Sequence, residues 1–153
     1  MPLPVITQSR SARLDLPFLF PGQAQKEAFV NEAIARLDAL VQPAVAGVAD
    51  SPPPDPVPGE SHIVGPAPTG AWAGHVNEIA VWAQTQWLFT APQPGAFVFD
   101  QTAHCLLRYD AADGWRRAES PAPVVGGAVQ DVEVRAALAA TVAALQHIGI
   151  LQE

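Results

Sequence analysis

Residues 23–41, QAQKEAFVNEAIARLDALV, carry the strongest periodic pattern in the chain. Their apolar residues recur at steps of three and four, which is the spacing of one face of an α-helix. The residues of this predicted apolar stripe are Phe29 or Val30, Ala33, Ile34, Leu37, Leu40 and Val41. Charged and amide side chains fill the rest of the helix, so the stripe needs a partner surface. Pro43 ends the helix, because proline lacks the backbone N–H and disfavours the helical conformation in the residue before it.

Downstream of this helix the pattern changes to short apolar runs separated by turn residues, which is typical of strands. The predicted strands are His62–Val64, Glu78–Trp82, Trp87–Thr90, Ala96–Phe99, Cys105–Tyr109 and Trp115–Ala118. Two hairpins look alike, because each carries an aromatic residue on both sides of its turn. The chain is therefore predicted to be α+β, with an N-terminal arm and helix, a small antiparallel β-sheet or barrel-like core, and a C-terminal apolar helix.

The C-terminal helix is predicted from its ends and its composition. Asp131 suits the N-cap position and Gly149 suits a helix stop. No charged residue occurs from Ala136 to Leu145, so the helix is apolar nearly all round and requires cover on several sides. We predict that other subunits supply this cover. The predicted oligomer interface, most of which follows coiled-coil spacing, is Val134, Leu138, Thr141, Val142, Leu145 and Ile148.

Residues 1–22 are predicted to form an extended arm, since Pro17 and Pro21 prevent a regular helix or a central strand. The arm is predicted to dock on its own domain or on a neighbouring subunit through Leu16, Phe18 and Phe20. Residues 23–120 then form a single α+β domain, and residues 121–153 form a linker and the C-terminal oligomerisation helix. Within the domain, the five prolines of residues 50–59 indicate a stiff polyproline-like spacer.

The composition indicates a globular protein, because 49% of the 153 residues are hydrophobic and 15% are charged. The net charge is −7 and the basic residues are scattered, apart from the Arg116-Arg117 pair, so we expect no nucleic-acid binding. No cleaved secretory signal is expected, since the N-terminus lacks a basic region followed by a long apolar one. No apolar run reaches the ~18 residues required for membrane insertion. We therefore expect a product that is made in the cytoplasm.

No group of residues indicates catalysis, so the chain is not predicted to be an enzyme. The four histidines are isolated, and neither a metal-ligand spacing nor a phosphate-binding or dinucleotide motif occurs, so no metal and no cofactor are predicted. Asp110 and Asp113 flank a turn that ends in Gly114, which favours turn formation over a glycosidase carboxylate pair. Cys105 lies in an apolar run and is predicted to be a buried, unreactive thiol.

The tryptophans divide into two groups. Trp82 and Trp87 bracket a turn and are predicted to support the sheet as core residues. Trp72 lies among small residues, which suit a loop that presents a side chain. Together with His75 and Asn77 in the same loop, Trp72 is predicted to contact a glycan or another subunit.

Three separated stretches of the chain resemble one family. The first combines Gln23-Ala-Gln-Lys26, Asn31-Glu-Ala33 and Leu37-Asp-Ala-Leu-Val-Gln42. The second is Gly59-Glu-Ser-His-Ile-Val64, and the third is Thr69–His75 followed by Glu78–Trp82. The chain is similar here to short domains of unassigned function that occur in bacterial prophages and gene transfer agents, where they belong to tail-fibre and head-spike proteins. The resemblance covers roughly residues 16–100.

The resemblance implies a structural component of a phage-like particle, made in the bacterial cytoplasm and incorporated on the outside of that particle. Such a chain would be an oligomeric spike or fibre base, or an adaptor that docks on a capsid vertex or tail. Its expected partners are itself, in five or three copies, together with capsid or tail proteins and a fibre protein. The alternative is a carbohydrate-binding module that contacts host cell-surface polysaccharide through the tryptophan-rich region.

Overall fold

The computed structural model describes residues 10–19, 26–83, 85–123, 125–126 and 131–152, with the backbone alone at residues 26 and 27. The helices among these residues are α1 (Lys26–Leu40) and α2 (Val132–His147). The strands are β1 (Ala44–Val45), β2 (Val48–Ala49), β3 (Ser61–Val64), β4 (Ile79–Ala83), β5 (Gln86–Thr90), β6 (Phe97–Asp100), β7 (Cys105–Asp110) and β8 (Gly114–Arg117). A 3₁₀ turn at Gly70–Trp72 lies between β3 and β4. The predicted α+β class is confirmed, including the C-terminal helix.

The strands form two four-stranded sheets with the orders β2-β3-β4-β5 and β1-β6-β7-β8. In each sheet a two-residue strand pairs in parallel with the first strand of an antiparallel three-stranded meander. Both sheets are therefore mixed, with one parallel pair each beside the antiparallel pairs of the predicted strands. β1 and β2 could not be predicted from the sequence, because a strand of two residues is too short to show an alternating pattern.

All six predicted strands are present, within one residue of their predicted bounds. The aromatic pairs that bracket the two hairpin turns face each other as predicted, because Trp82 pairs with Trp87 and Tyr109 pairs with Trp115 in the strand registers. The ring centroids are 5.2 Å apart in the first pair and 5.3 Å apart in the second. These contacts support the register of both hairpins.

Residues 44–49 join the two sheets, because the chain pairs first with β6 through β1 and then with β3 through β2. Between these strands, the Ala46 amide donates to the Ser61 carbonyl at 2.8 Å, and the Ile63 amide donates to the Gly47 carbonyl at 3.0 Å. The core below this segment draws on both sheets. Its buried residues are Val45, Ile63, Ile79, Val98 and Leu107.

Helix α1 packs against the sheet of β4 and β5, but not through its predicted apolar stripe. Ala39 lies in a buried cluster with Val81 and Leu88, and Asn31 and Asp38 are also buried. Although Ile34 is half-buried, most of the stripe instead faces solvent. Its exposed members are Phe29, Val30, Ala33, Leu37, Leu40 and Val41. Hydrogen bonds from residues 11–19 to Asn31 and Asp38 hold the polar face inward, so the sheet of β4 and β5 is not the partner surface that the stripe was predicted to need.

Helix α2 begins and ends as predicted. Asp131 Oδ1 accepts a hydrogen bond from the Val134 amide at 2.9 Å, which is the interaction of an N-cap. Gly149 follows the helix at φ 74°, and a Cβ at this position would lie 2.8 Å from the Phe99 ring, so only glycine fits. Neither α1 nor α2 is long and apolar enough to cross a membrane, and the described residues contain no other α-helix.

Candidate functional site

The predicted interface on α2 lies on a helix that buries none of its residues. Val134 is 61% exposed, Leu138 is 47% exposed and Ile148 is 60% exposed. Thr141 is also exposed, whereas Val142 and Leu145 are half-buried. The Thr141 hydroxyl donates to the Ala137 carbonyl at 2.9 Å, so it is satisfied within the helix and needs no partner across an interface. The surface is thus suited to apolar contact along its length.

Helix α2 is fixed to the rest of the chain mainly at its C-terminal end. The Leu106 amide of β7 donates to the Gly149 carbonyl at 2.7 Å, and the Gln152 amide donates to the Ala118 carbonyl at 3.0 Å. Gln146 Nε2 donates to the Ser120 hydroxyl at 2.9 Å. The middle of the helix makes no such contact with the described part of the sheet, so its sides are open to other molecules.

The arm docks on α1 of its own chain. Asp38 accepts hydrogen bonds from the Ser11 hydroxyl at 2.7 Å, from the Arg13 amide at 2.9 Å and from the Leu14 amide at 2.6 Å. Phe18 is 8% exposed and therefore buried in its own domain, and Leu16 is half-buried. Phe20, residues 1–9 and residues 21–25 lie outside the described residues. A bridge between Arg10 and Pro17 folds the described segment back on itself, so this part of the arm is a turn rather than an extended strand.

Trp72 is fully buried, so the prediction of a surface contact is wrong for this residue. The 3₁₀ turn places its ring 5.1 Å from that of Trp87, edge to face, and 5.4 Å from that of His62. The glycines on either side of Trp72 are required by the backbone conformation, since Gly70 and Gly74 adopt φ of 58° and 90°. The glycines let the chain turn the indole inward instead of presenting it outward.

His75 and Asn77 also have structural partners. The His75 ring stacks on Phe89 at 3.6 Å, and its Nδ1 lies 2.9 Å from Glu78 Oε2. The Asn77 carbonyl accepts a hydrogen bond from Trp115 Nε1 at 2.9 Å, which links the two sheets. Trp72, His75 and Asn77 therefore do not form one contact surface.

A groove beside the aromatic hairpin was not predicted from the sequence. Its volume is ≈ 480 Å³, and its walls are the prolines of residues 52–56 and the aromatic side chains of β4 and β5. The lining residues are Pro52, Pro53, Pro54, Pro56, Ala71, Trp82, Thr85, Gln86, Trp87 and Phe89. None of these residues is charged, and Trp82 is only half-buried. The stretch that the sequence predicts to be a stiff spacer thus also forms one wall of a groove.

A second groove, with a volume of ≈ 650 Å³, is lined by the arginines of β7 and β8. Arg108 and Arg116 lie directly opposite each other in the strand register, Arg117 follows, and Phe97 is 54% exposed beside them. Arg116 forms an ion pair with Asp113 at 2.8 Å. The sequence suggested scattered basic residues because cross-strand neighbours become visible only once the register is known.

The described residues contain no group of three or more side chains that could hold a metal ion. The hydrogen bond from His62 and that from the Val57 amide hold the pKa of Glu60 below its ordinary value. Burial raises the pKa of the Cys105 thiol, and Cys105 is fully buried as predicted.

The aspartates form turns rather than a carboxylate pair. Asp110 Oδ1 accepts from the Ala112 amide at 2.9 Å, which lowers the pKa of Asp110. The Asp100 carboxylate is buried and accepts from the Thr102 and Ala103 amides at 3.0 Å and 2.9 Å. The predicted turn role of Asp110 is thereby confirmed.

No curated protein and no solved structure matches the chain. One family matches residues 30–116 of the chain, which is more than half of the chain's length, and these residues run from within α1 into β8. The matched stretch contains Asp38, the core that joins the two sheets and the aromatic hairpin. The chain therefore belongs to the family described as a protein of unknown function, DUF2793.

Proposed function

We propose that this protein is a non-enzymatic structural component of a phage-like particle, either a gene transfer agent or a prophage. In this proposal it self-associates through α2 and serves as a spike or fibre base, or as an adaptor on a capsid vertex or tail. The link to such particles rests on the resemblance of the three sequence stretches to prophage and gene transfer agent proteins. The self-association rests on the structure of α2.

The observation that carries the proposal is a 16-residue helix with no buried residue and no charge from Ala136 to Leu145. A helix exposed to water on all sides normally carries charged residues around most of its circumference. Isolated helices of this length are also marginally stable in water, so tertiary or quaternary packing has to stabilise this one. Other copies of the chain provide that packing in a symmetric oligomer of three or five subunits.

The test of self-association is the double variant Leu138→Asp/Leu145→Asp. Two carboxylates at an apolar contact should dissociate the oligomer, because burying an unpaired charge is costly. Light scattering measures the mass, and near-ultraviolet circular dichroism reports whether the tryptophan-rich sheets remain folded. The matched control is Val76→Asp/Val125→Asp, which adds the same charge at exposed valines outside both helices. An oligomer that survives the α2 substitutions would overturn the proposal.

The particle assignment has its own test. Particles produced without this protein should lack a surface projection in electron micrographs, and antibody against the protein should label the outside of complete particles. Complete particles that contain no trace of the chain would overturn the assignment even if the isolated protein is oligomeric.

A second candidate function is binding of host cell-surface polysaccharide, and the uncharged groove beside Trp82 favours it. Flat aromatic faces stack on the C–H faces of sugar rings, and the hydroxyl of Thr85 and the amide of Gln86 are polar groups of the kind that orient a sugar. Trp82→Ala should abolish retention on capsule polysaccharide while the protein stays folded. Unchanged retention would remove this candidate.

A further inference from the structure

Helix α1 has one buried face and one exposed face. Its inner face carries Asn31, Asp38 and Ala39 and is buried against the arm and the sheet. Its outer face exposes large apolar side chains, with Phe29 at 67% and Leu37 at 55%. The hydrogen bonds of the inner face fix the rotation of the helix, so the apolar face points outward in every copy of the folded chain.

Helix α2 also has two faces that differ in side-chain size. At about 100° per residue, the seam of Val134, Leu138, Thr141, Leu145 and Ile148 lies on one side. The opposite side carries alanines at positions 136, 139, 140 and 143, all of which are exposed. If the seam contacts the α2 helices of other copies, this alanine face points away from the centre of the assembly. Because the face carries no charged residue, it is suited to contact a second apolar surface.

The two surfaces complement each other. Large side chains on α1 and alanines on α2 allow close helix packing, because the large residues fill the space that the small ones leave. The helices have 15 and 16 residues, so they are roughly 22 and 24 Å long and match over their whole length. Glu32 and Arg36, which flank the stripe, form an ion pair with each other at 2.8 Å, so neither side chain brings an unpaired charge to the contact.

The contact cannot form within one chain in the observed arrangement. Helix α1 packs on the sheet of β4 and β5, and Arg36 donates to the Phe89 carbonyl of that sheet at 2.6 Å. The C-terminal end of α2 is bonded to the other sheet, at β7 and the residues after β8. The large residues of the α1 stripe are exposed in the single chain, and α2 has no buried residue, so the two surfaces do not cover each other there.

We propose that the exposed large residues of the α1 stripe are the docking surface for the alanine face of α2 from a neighbouring copy. These residues are Phe29, Val30, Leu37, Leu40 and Val41. This inference rests on the proposed self-association and specifies how the copies are arranged. The α2 helices lie at the centre of the oligomer, and each is covered on its outer side by α1 of the next subunit. Such a head-to-tail contact closes into a ring, which agrees with either three or five copies.

Cross-linking between differently marked copies tests the contact. Cells that produce both a Leu37→Cys copy and an Ala140→Cys copy should yield a cross-linked dimer of the two kinds after treatment with a short bismaleimide. The control replaces Leu37→Cys with Val76→Cys, an exposed position outside both helices. Native Cys105 is fully buried, and the unsubstituted protein gives the background cross-linking that comes from this cysteine. Cross-linking no stronger than in the control overturns the inference.

A charge variant separates this inference from the proposed function. Leu37→Asp should raise the dissociation constant of the oligomer on the order of tenfold or more, because it buries an unpaired charge at the docking surface. Leu37 is more than half exposed in the single chain, so the fold of the subunit should not change. An oligomer that responds to the α2 seam substitutions but not to Leu37→Asp would retain the self-association and refute the docking. A protein that is monomeric without any substitution would refute both.

Discussion

Asn31 and Asp38 lie two helical turns apart on the same buried face of α1, and together they hold residues 11–19 against the helix. Asn31 accepts a hydrogen bond from the Leu19 amide at 2.8 Å and donates one to the Leu19 carbonyl at 3.0 Å. Asp38 binds the other end of the segment through Ser11, Arg13 and Leu14. The spacing of seven residues brings both side chains to one side of the helix.

Asp38→Ala should lower the free energy of unfolding by ~2–4 kcal/mol, because three donors around the buried carboxylate lose their acceptor. Urea denaturation of the purified protein measures the loss. Asp15→Asn is the matched control, since Asp15 pairs with Arg10 at the surface and its side chain is 76% exposed. If Asp38→Ala costs no more than the control, the carboxylate does not hold the segment in solution.

Trp72→Ala should destabilise the fold by ~3–5 kcal/mol, the usual cost of truncating a buried tryptophan. The cause is the loss of packing against Trp87 and His62 in a fully buried position. Trp82→Ala, at a half-buried position, should cost clearly less. Thermal unfolding compares the two variants, and a stable Trp72→Ala protein would contradict the buried position.

Glu60 should make the stability of the protein depend on acid pH. Its pKa in the folded chain is below the ordinary 4.5, because His62 and the Val57 amide hydrogen-bond its carboxylate. The stabilisation is therefore fully present above pH 4.5 and is lost as the pH falls through the lower folded value. Glu60→Gln should remove this pH-dependent contribution to the free energy of unfolding. The expected size is about 1 kcal/mol, the usual net contribution of one hydrogen bond.

Denaturation midpoints measured from pH 3 to pH 7 would reveal the change, since the curve of Glu60→Gln should converge with that of the unsubstituted protein at the acid end. Glu119→Gln serves as the control, because Glu119 is exposed. Two parallel curves for Glu60→Gln and the unsubstituted protein would show that the carboxylate contributes nothing specific.

The Cys105 thiol should resist alkylation in the folded protein. It is fully buried, and burial raises its pKa, so little thiolate forms near neutral pH. Mass spectrometry after iodoacetamide treatment should show an unmodified chain without denaturant and one adduct in urea. Rapid labelling of the native protein would indicate that the segment from Cys105 to Leu107 opens readily.

The sequence predicted the strands well, because their signals are local. Aromatic residues on both sides of a turn, as at Trp82 and Trp87, identify a hairpin and its register without knowledge of the rest of the fold. The caps of α2 at Asp131 and Gly149 were predictable for the same reason. The parallel strands β1 and β2 were not, because they consist of two residues each and depend on partners far along the chain.

The orientation of α1 and the position of Trp72 required the tertiary structure. Periodicity predicted an apolar stripe on α1 but not which surface the helix packs on, and long-range hydrogen bonds to Asn31 and Asp38 hold the polar face inward. The glycines around Trp72 indicated a loop correctly, yet they gave no information on which way the indole points. The two grooves were equally hidden, since each combines residues from separate strands.

The joining of both sheets by residues 44–49 has a mechanical consequence. A load applied to one sheet passes through β1 and β2 into the other along a few backbone hydrogen bonds. We therefore expect the sheets to rupture together when the domain is stretched between its ends, as a single event in a force-extension trace. Two separate events would show that each sheet resists tension alone. A single rupture would suit the proposed position on the outside of a phage-like particle, where shear would act on the protein.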